Sequence, residues 1–290
     1  MSDVTLSDCG CGGGAQCTCG AGAQKPALVY ALGKLGYDFG SEARHDSFAQ
    51  AMPTEANNPL IPDQLLGYLE QNPYEASSLT WTLNLDATPI YAIQPAGPFA
   101  VNAYERLREF LRAQLHEGVE LVSIPGIIAG SVRLQSGMAV PAVVPAVRGM
   151  YSWATTPLVE HVLGERPTAA AALASYDNLA SGLADFLNQI YYGMRNLGLT
   201  AEERALNYSA TNAMQVSAVI RSATQQELDF GVPTVKKSPV CRPDSDCYDV
   251  ELPFFDPNNT NRASRIYRFT VDVSDIIPVT IGAVRSWTRQ

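Results

Sequence analysis

The chain has 290 residues, of which 46% are hydrophobic, which is enough to bury a sizeable core in one large domain or two small ones. Its formal net charge of −9 repels a phosphate backbone unless basic side chains cluster strongly, and the sequence contains no such cluster. No apolar run approaches the roughly 20 residues that a membrane helix needs. We therefore expect neither nucleic acid nor a membrane as a partner.

The first 25 residues are rich in glycine and cysteine and offer little to bury, so we interpret them as a flexible tail before a single domain spanning 26–290. They contain neither the basic nor the apolar part of a signal peptide, which predicts a cytoplasmic protein. Four cysteines in the tail follow a C-x-C-x5-C-x-C pattern: Cys9, Cys11, Cys17 and Cys19. Four thiolates on a glycine-rich tether could bind zinc, copper(I) or an iron–sulfur cluster, or they could be incidental, and the spacing leaves this open.

The first elements of the domain are predicted from local signals. The apolar run that starts at Ala27 indicates a buried strand, and GKLGYDFG after it is more typical of a tight turn than of a phosphate-binding loop. Ser41 then caps a helix that runs to about Met52. PDQLLGYLEQ predicts a helix with Pro62 in its first turn, and LTWTLNLD with TPIYAIQP predicts a hairpin.

The middle of the chain alternates helical and extended patterns. Residues 99–117 show helical spacing, and Gly118 ends the pattern. Of the extended runs that follow, the segment Met138–Val147 contains prolines that predict an edge strand or a loop. Residues 168–228 predict a helical hairpin whose second helix starts at a Thr200 cap.

The last fifty residues contain two runs that alternate with period two, CYDVELPFF and RIYRFTVDV, separated by the turn-forming residues DPNNTN. They predict a hairpin whose register cannot be derived from the sequence. Strands before and after the helices indicate an α+β fold, which we expect to be an antiparallel sheet with hairpins packed against long helices.

Several long strings resemble the C-terminal domain of unknown function of the cyanobactin maturation proteases, the patellamide-type enzymes. They are VYALGKLGYDFGSEARHDSF, SLTWTLNLDATPIYAI, ERALNYSATNAMQ, CRPDSDCYDVELPFFDPNN and RFTVDVSDIIPVTIGAVRSW. The chain contains nothing like the Gly-Thr-Ser-Met-Ala nucleophile motif of the protease that precedes this domain in the family. The resemblance thus implies a stand-alone relative of the accessory domain.

The resemblance implies a place in the biosynthesis of ribosomally synthesised, post-translationally modified peptides, where a precursor peptide is held while other enzymes modify it. We therefore expect a peptide-binding accessory or scaffold protein whose partners are a precursor peptide and its modifying enzymes. The family also suggests a homodimer. An exposed strand edge or an apolar groove would bind the peptide. The two segments in which we expect it are GKLGYDFG and Met138–Val147. The candidate peptide-binding residues are Tyr37, Asp38, Phe39, Val140, Val143 and Val144.

Cys241 and Cys247 form a C-x5-C pair before a predicted strand and are the candidate metal ligands within the domain. Zinc with further ligands from elsewhere or from a second subunit, reduced turn cysteines, and a disulfide are the three alternatives. A metal-dependent peptide-modifying or hydrolytic enzyme and a structural zinc module are accordingly the alternative functions.

No residue emerges as catalytic, and the sequence favours binding over catalysis. His45 follows Glu42 by three residues on a predicted helix, which is more typical of a surface charge pair than of a general base. His116 near a helix end and His161 in an apolar run are expected to be structural.

Overall fold

The fold was analysed in a computed structural model. The structure describes residues 26–53, 56–154, 164, 166–168, 173–174, 176–177, 180–181, 196–211, 228–256, 258–259 and 262–289. The helices and strands are β1 (Leu28–Asp38), α1 (Glu42–Ala51), α2 (Pro62–Gln71), β2 (Thr80–Leu85), β3 (Thr88–Ile93), α3 (Ala100–His116), β4 (Leu121–Arg133), β5 (Ala139–Pro145), β6 (Tyr151–Trp153), α4 (Ala201–Thr211), β7 (Asp229–Phe230), β8 (Thr234–Lys237), β9 (Cys247–Phe255), β10 (Ser264–Asp272) and β11 (Val279–Arg289). No described helix combines the length and the hydropathy needed to cross a membrane.

The first sheet closes into a ring. Its strands follow the order β1-β2-β3-β5-β4, β4 pairs back onto β1, and β6 extends the sheet from β4. All neighbours are antiparallel except β3 and β5, which are parallel. This order, with a helix between the third and fourth strands, is that of the small barrels called OB-folds. The α+β class is thus confirmed, but the predicted antiparallel sheet with hairpins packed against long helices is wrong, because this sheet contains a parallel pair and closes on itself.

One hydrophobic cluster contains side chains from all five ring strands and from α1, α2 and α3. Its largest member, Trp81 on β2, is fully buried, and its indole nitrogen donates a hydrogen bond of 2.8 Å to the carbonyl of Ala76. On β1, Val29 and Ala31 belong to this cluster, whereas Tyr30 contributes to the second core. The alternation places the first cluster inside the ring and leaves the outer face of β1 for the rest of the chain.

The second sheet has the order β11-β10-β9-β7, with β8 also paired to β9. The β9–β10 hairpin joins the two predicted alternating runs, and Tyr267 lies opposite Leu252. The apolar set of each run is buried in the second core, as the alternation predicted: Val250, Leu252, Phe254, Tyr267, Phe269, Val271 and Val273. The hairpin is confirmed, and its register is now known.

Helix α4 packs between this sheet and the outer face of β1. Its start is the predicted capping box: the amide of Glu203 donates to the Thr200 hydroxyl at 3.1 Å, and the Glu203 carboxylate accepts from the Thr200 amide at 3.1 Å. Most of the predicted helical hairpin at 168–228 lies outside the described residues.

Two local predictions were wrong. The prolines of β5 predicted an edge strand or a loop, yet β5 pairs with β4 on one side and with β3 on the other. GKLGYDFG predicted a tight turn, but Gly33–Asp38 continue β1, and the chain turns only at Gly40, where φ is +70°. Gly33 is required by close packing, because a Cβ there would lie 2.6 Å from the backbone oxygen of Asn84.

Candidate functional site

An apolar groove with a volume of about 490 Å³ lies where the end of β3, the start of α3 and the end of β5 meet the loop between β10 and β11. Pockets of this size accommodate a small molecule or a few side chains of a peptide. Its lining residues are Pro95, Ala96, Phe99, Ala100, Asn102, Ala103, Pro145, Ala146, Val147, Arg148 and Ile277.

One wall of the groove is the turn that leads from β3 into α3. Gly97 turns the chain at a φ of +76°, and its carbonyl accepts a hydrogen bond of 3.2 Å from the amide of Ala100. The cap residue of α3 is Phe99, which provides no side-chain hydrogen bond, and its ring is 63% exposed at the mouth of the groove. The first turn of α3 contains no acidic residue, so the positive end of its helix dipole is not offset by an acid of its own first turn.

The opposite wall is a short 3₁₀ turn, Val147–Gly149, that follows β5. The amide of Ala146 donates to the carbonyl of Pro125 at 2.8 Å, which fixes the chain as it leaves the ring. A Cβ at Gly149 would lie 2.5 Å from the ring of Pro125 and 3.0 Å from Ile277, so only glycine lets the β10–β11 loop approach this closely. Ile277 thereby completes the wall.

Two polar side chains, Arg148 and Asn102, line the otherwise apolar groove. Both are exposed, and within the part of the chain that the structure describes Arg148 makes no ion pair. A guanidinium, an amide and a helix N-terminus favour a carboxylate or another anionic oxygen as the polar part of a ligand. The apolar lining favours aliphatic or aromatic groups as the remaining part of the ligand.

The ring face that OB-fold barrels commonly use for ligands is covered in this protein. On the outer side of β3, Ala92 is fully buried against Leu134 and Val140 from the β4–β5 hairpin. This small cluster covers the outer face of β3 at Ala92, and Thr82, which lies opposite Ala92 on β2, is also buried. OB-folds hold oligonucleotides and oligosaccharides on this face of their second and third strands. The groove at the end of β3 is therefore the better candidate.

The first set of predicted peptide-binding residues lies away from the groove lining. Phe39 is buried against His45 and Phe48, with ring centroids 5.2 and 5.6 Å apart. The Tyr37 hydroxyl donates to the carbonyl of Pro59 at 3.0 Å, and burial raises its pKa to about 12. The two ring contacts tie the end of β1 to α1, and the hydrogen bond ties it to the segment before α2.

Asp38 has a structural role at the end of β1. Its carboxylate accepts a hydrogen bond of 2.6 Å from the Gly40 amide and one of 2.9 Å from the Gln135 amide. The first bond holds the turn after β1, and the second holds the β4–β5 loop against it.

The second predicted set lies directly before the groove. Val140 and Val143 are buried and Val144 is half-buried, whereas Pro145 and the residues after it line the groove. These three valines therefore lie beside the groove and not in its lining, and their role in peptide binding stays a prediction. No local pattern marks the groove, because its lining residues come from segments that are far apart along the chain.

The sulfur atoms of Cys241 and Cys247 are bonded as a disulfide in the structure, and Cys247 is fully buried at the start of β9. Among the described residues, no group of three or more histidine, cysteine or acidic side chains could hold a metal ion. The tail cysteines Cys9, Cys11, Cys17 and Cys19 lie outside the described residues.

Each of the two described histidines lies beside an acidic side chain. His45 Nδ1 lies 3.2 Å from the carboxylate of Asp46, its neighbour in sequence, rather than pairing with Glu42. His116 Nε2 lies 3.1 Å from the carboxylate of Asp63, which links α3 to α2. His161 is outside the described residues.

Comparison with known proteins locates the chain. The family described as PatG Domain matches residues 28–130, and the family described as PatG C-terminal matches residues 174–287. A solved structure titled "PatG Domain of Unknown Function" is 41% identical, with a TM-score of 0.81 over 91% of this chain and 99% of that one. Among proteins with curated descriptions, none matches the sequence. The chain therefore belongs to the PatG domain family, which confirms its predicted kinship with the accessory domain of the cyanobactin maturation proteases.

Proposed function

We propose that, within the patellamide or cyanobactin biosynthetic role that its family implies, this protein binds a ribosomal precursor peptide in the cytoplasm while other enzymes modify it. The observation that carries the proposal is the apolar groove between α3 and the end of β5. Its partners are then the precursor peptide and the modifying enzymes that act on it.

The shape and chemistry of the groove support a peptide ligand. Its walls are small and rigid: alanines and prolines leave a cavity that a side chain of the ligand fills without displacing residues of the protein. Phe99 at the mouth offers a ring for stacking against the ligand, and such rings often dominate binding energy. Arg148 then selects peptides with an acidic residue or a chain end beside the apolar anchor.

Calorimetric titration with the precursor peptide of the same gene cluster tests the proposal. We expect saturable binding by the wild type, and about a tenfold loss of affinity for Phe99→Ala. Ala100→Leu keeps a strong helix former at the first position of α3 and fills the groove, so it also weakens binding.

Two variants serve as matched controls. Val101 lies two residues after Phe99, is 68% exposed and does not line the groove, so Val101→Ala should bind as the wild type does. Ala43→Leu makes the same change as Ala100→Leu on the exposed face of α1. No binding by the wild type, or equal losses in the controls, contradicts the proposal.

Turnover separates this proposal from an enzymatic function. The protein and the peptide are incubated with and without added zinc, and the peptide is followed by mass spectrometry. A change in peptide mass that depends on the protein alone would refute a purely binding role.

The cysteine pair supports a second, independent proposal about zinc. The disulfide places the two sulfur atoms next to each other, so that after its reduction both thiolates could bind the same zinc ion. The remaining ligands would come from other side chains or from a second copy in the proposed homodimer. Metal analysis of reduced wild type, Cys241→Ser and Cys247→Ser tests this. Equal zinc content in all three refutes the site, and light scattering at several concentrations tests the dimer.

A further inference from the structure

Among the strands that the structure describes, the last one of the second sheet lies at its edge. Within the described residues β11 pairs only with β10, and nearly all of its eleven residues are exposed. The pairing of β11 with β10 is interrupted by a bulge. Arg268 pairs with Arg285 and Thr270 pairs with Ile281, so one residue of β10 lies opposite three residues of β11. One of these three is Gly282, whose φ is +72°. The bulge leaves Arg285–Arg289 as a regular segment at the end of the edge, since β-bulges interrupt pairing locally.

This segment, Arg285-Ser286-Trp287-Thr288-Arg289, presents a defined row of side chains. Because strand side chains alternate, Arg285, Trp287 and Arg289 share one face, spaced about 7 Å apart. Trp287 is 39% exposed. The guanidinium of Arg268, on the neighbouring strand β10, lies over the Trp287 ring, with its central carbon 5.6 Å from the ring centre.

The charges along this edge are unbalanced. Arg268 and Arg285 lie directly opposite each other in the β10–β11 register, an arrangement of like charges that destabilises a sheet. Arg268 is offset by Asp249 of β9, whose carboxylate lies 3.2 Å away and is almost fully buried. In the described part of the chain, no acidic group makes an ion pair with Arg285 or Arg289, and β11 itself contains no acid.

We propose that Arg285–Arg289 of β11 docks an extended acidic polypeptide segment, which adds a strand to the sheet and sets carboxylates beside both arginines and an apolar side chain beside Trp287. Edge strands bind peptides in this way: the main chain provides the hydrogen bonds, and alternate side chains provide the specificity. Two carboxylates four residues apart in the ligand match the spacing of the two arginines.

Other occupants fit the surface less well. A second copy of β11 would bring the arginines of both copies together without a compensating acid, which disfavours self-pairing. A nucleic acid would meet a protein whose net charge is −9, which repels a phosphate backbone. An acidic peptide is attracted to the local positive charge and carries far less total charge.

The probe for the experiment is a fluorescein-labelled heptapeptide, Thr-Glu-Thr-Phe-Thr-Glu-Thr, followed by fluorescence anisotropy. We expect saturable binding that weakens with salt, and about a tenfold rise in Kd for Arg285→Glu with Arg289→Glu. The peptide with lysines in place of the glutamates should bind this variant better than it binds the wild type. Exchange of two exposed arginines of the ring sheet and α3, Arg106→Glu with Arg133→Glu, is the matched control and should leave the Kd unchanged.

Two further measurements distinguish strand addition from charge adsorption. N-methylation of alternate residues of the peptide removes backbone donors but keeps the charges, so it should abolish binding, and amide exchange in β11 should slow when the unmethylated peptide is bound. If the charge-reversed variant does not fold, Arg285→Gln with Arg289→Gln replaces it.

Four outcomes would overturn the proposal: no binding by the wild type, equal binding by the arginine variants, undiminished binding of the methylated peptide, or displacement of the peptide by oligothymidylate at lower concentration. The groove variant Ala100→Leu should not affect this peptide. Failure of the strand site is therefore distinguishable from failure of the groove.

Discussion

Removal of one buried amide, in Asn207→Ala, should weaken the junction between the ring and the second sheet. Asn207 lies on α4 and is almost fully buried. Its Nδ2 donates a hydrogen bond of 2.7 Å to the carbonyl of Tyr30 on β1, and its Oδ1 accepts one of 2.8 Å from Asn196. The same junction is closed by the Tyr30 amide, which donates to the carbonyl of Gly198 at 3.0 Å.

The magnitude follows from the groups left without a partner. Alanine leaves the Tyr30 carbonyl and one Asn196 donor buried and unpaired, at about 1 to 3 kcal/mol for each group. Asn196 also has a weaker contact of 3.5 Å to the carbonyl of Glu203, which offsets part of the second cost. We therefore expect the free energy of unfolding to fall by about 2 to 4 kcal/mol.

Urea unfolding followed by circular dichroism measures this change, with equal m-values required for the comparison. Asn102→Ala, at an exposed site on α3, is the control and should change the free energy of unfolding by less than about 0.5 kcal/mol. A similarly small loss in Asn207→Ala would refute the reasoning, because it would mean that these buried amides do not contribute to the junction.

Three further results are expected. Gly149→Ala forces a methyl group against Pro125 and should lower the free energy of unfolding by about 1 to 3 kcal/mol in urea titration. A smaller loss would show that the residues of this wall can move apart to accommodate the methyl group. Reduction of the Cys241–Cys247 disulfide should lower the urea midpoint, since closing this short loop contributes about 2 kcal/mol, and Cys241→Ser should not respond to reductant. Burial raises the pKa of Tyr30 to about 12 from 10.0, so the stability it contributes is complete below pH 10 and decreases as the pH rises from 10 towards 12. Tyr30→Phe should flatten this decrease in unfolding experiments, whereas the exposed Tyr74→Phe should not.

Features that depend on a few neighbouring residues could be predicted from the sequence. The Ser41 cap, the proline at the start of α2 and the capping box of α4 are interactions within one helical turn, so the residues that make them are adjacent in sequence. The end of α3 at Gly118 follows from its φ of +72°, which glycine adopts without strain.

Ring closure could not be predicted, because it depends on distant segments. Leu28 of β1 lies opposite Ile127 of β4, and no local pattern encodes that pairing. The prolines of β5 were misleading for a related reason. The parallel pairing of β5 with β3 uses only Ala142 and Val143, so both prolines lie outside the stretch paired with β3.

The groove also has no signature in the sequence, since it is made of small residues from segments far apart along the chain. Pro95–Ala103, Pro145–Arg148 and Ile277 meet only in the folded protein, and none belongs to a catalytic or ligand motif. The valines selected from the sequence fill the core beside it, because large apolar side chains close cavities and small ones leave them open.

The groove and the proposed docking strand are linked by a short piece of chain. Ile277 lines the groove, and β11 begins two residues later at Val279. From there to Arg285 an extended chain covers about 20 Å, less where the bulge shortens it, so a peptide bound at both surfaces needs a connecting segment of roughly six to ten residues. Because the second contact of such a peptide is intramolecular, a peptide that reaches both proposed surfaces should bind more tightly than either of its halves alone, as titration with the whole peptide and with each half would measure. If both proposals hold, a cut between the two contacts would remove this gain in affinity, so each fragment should dissociate more readily than the uncut peptide.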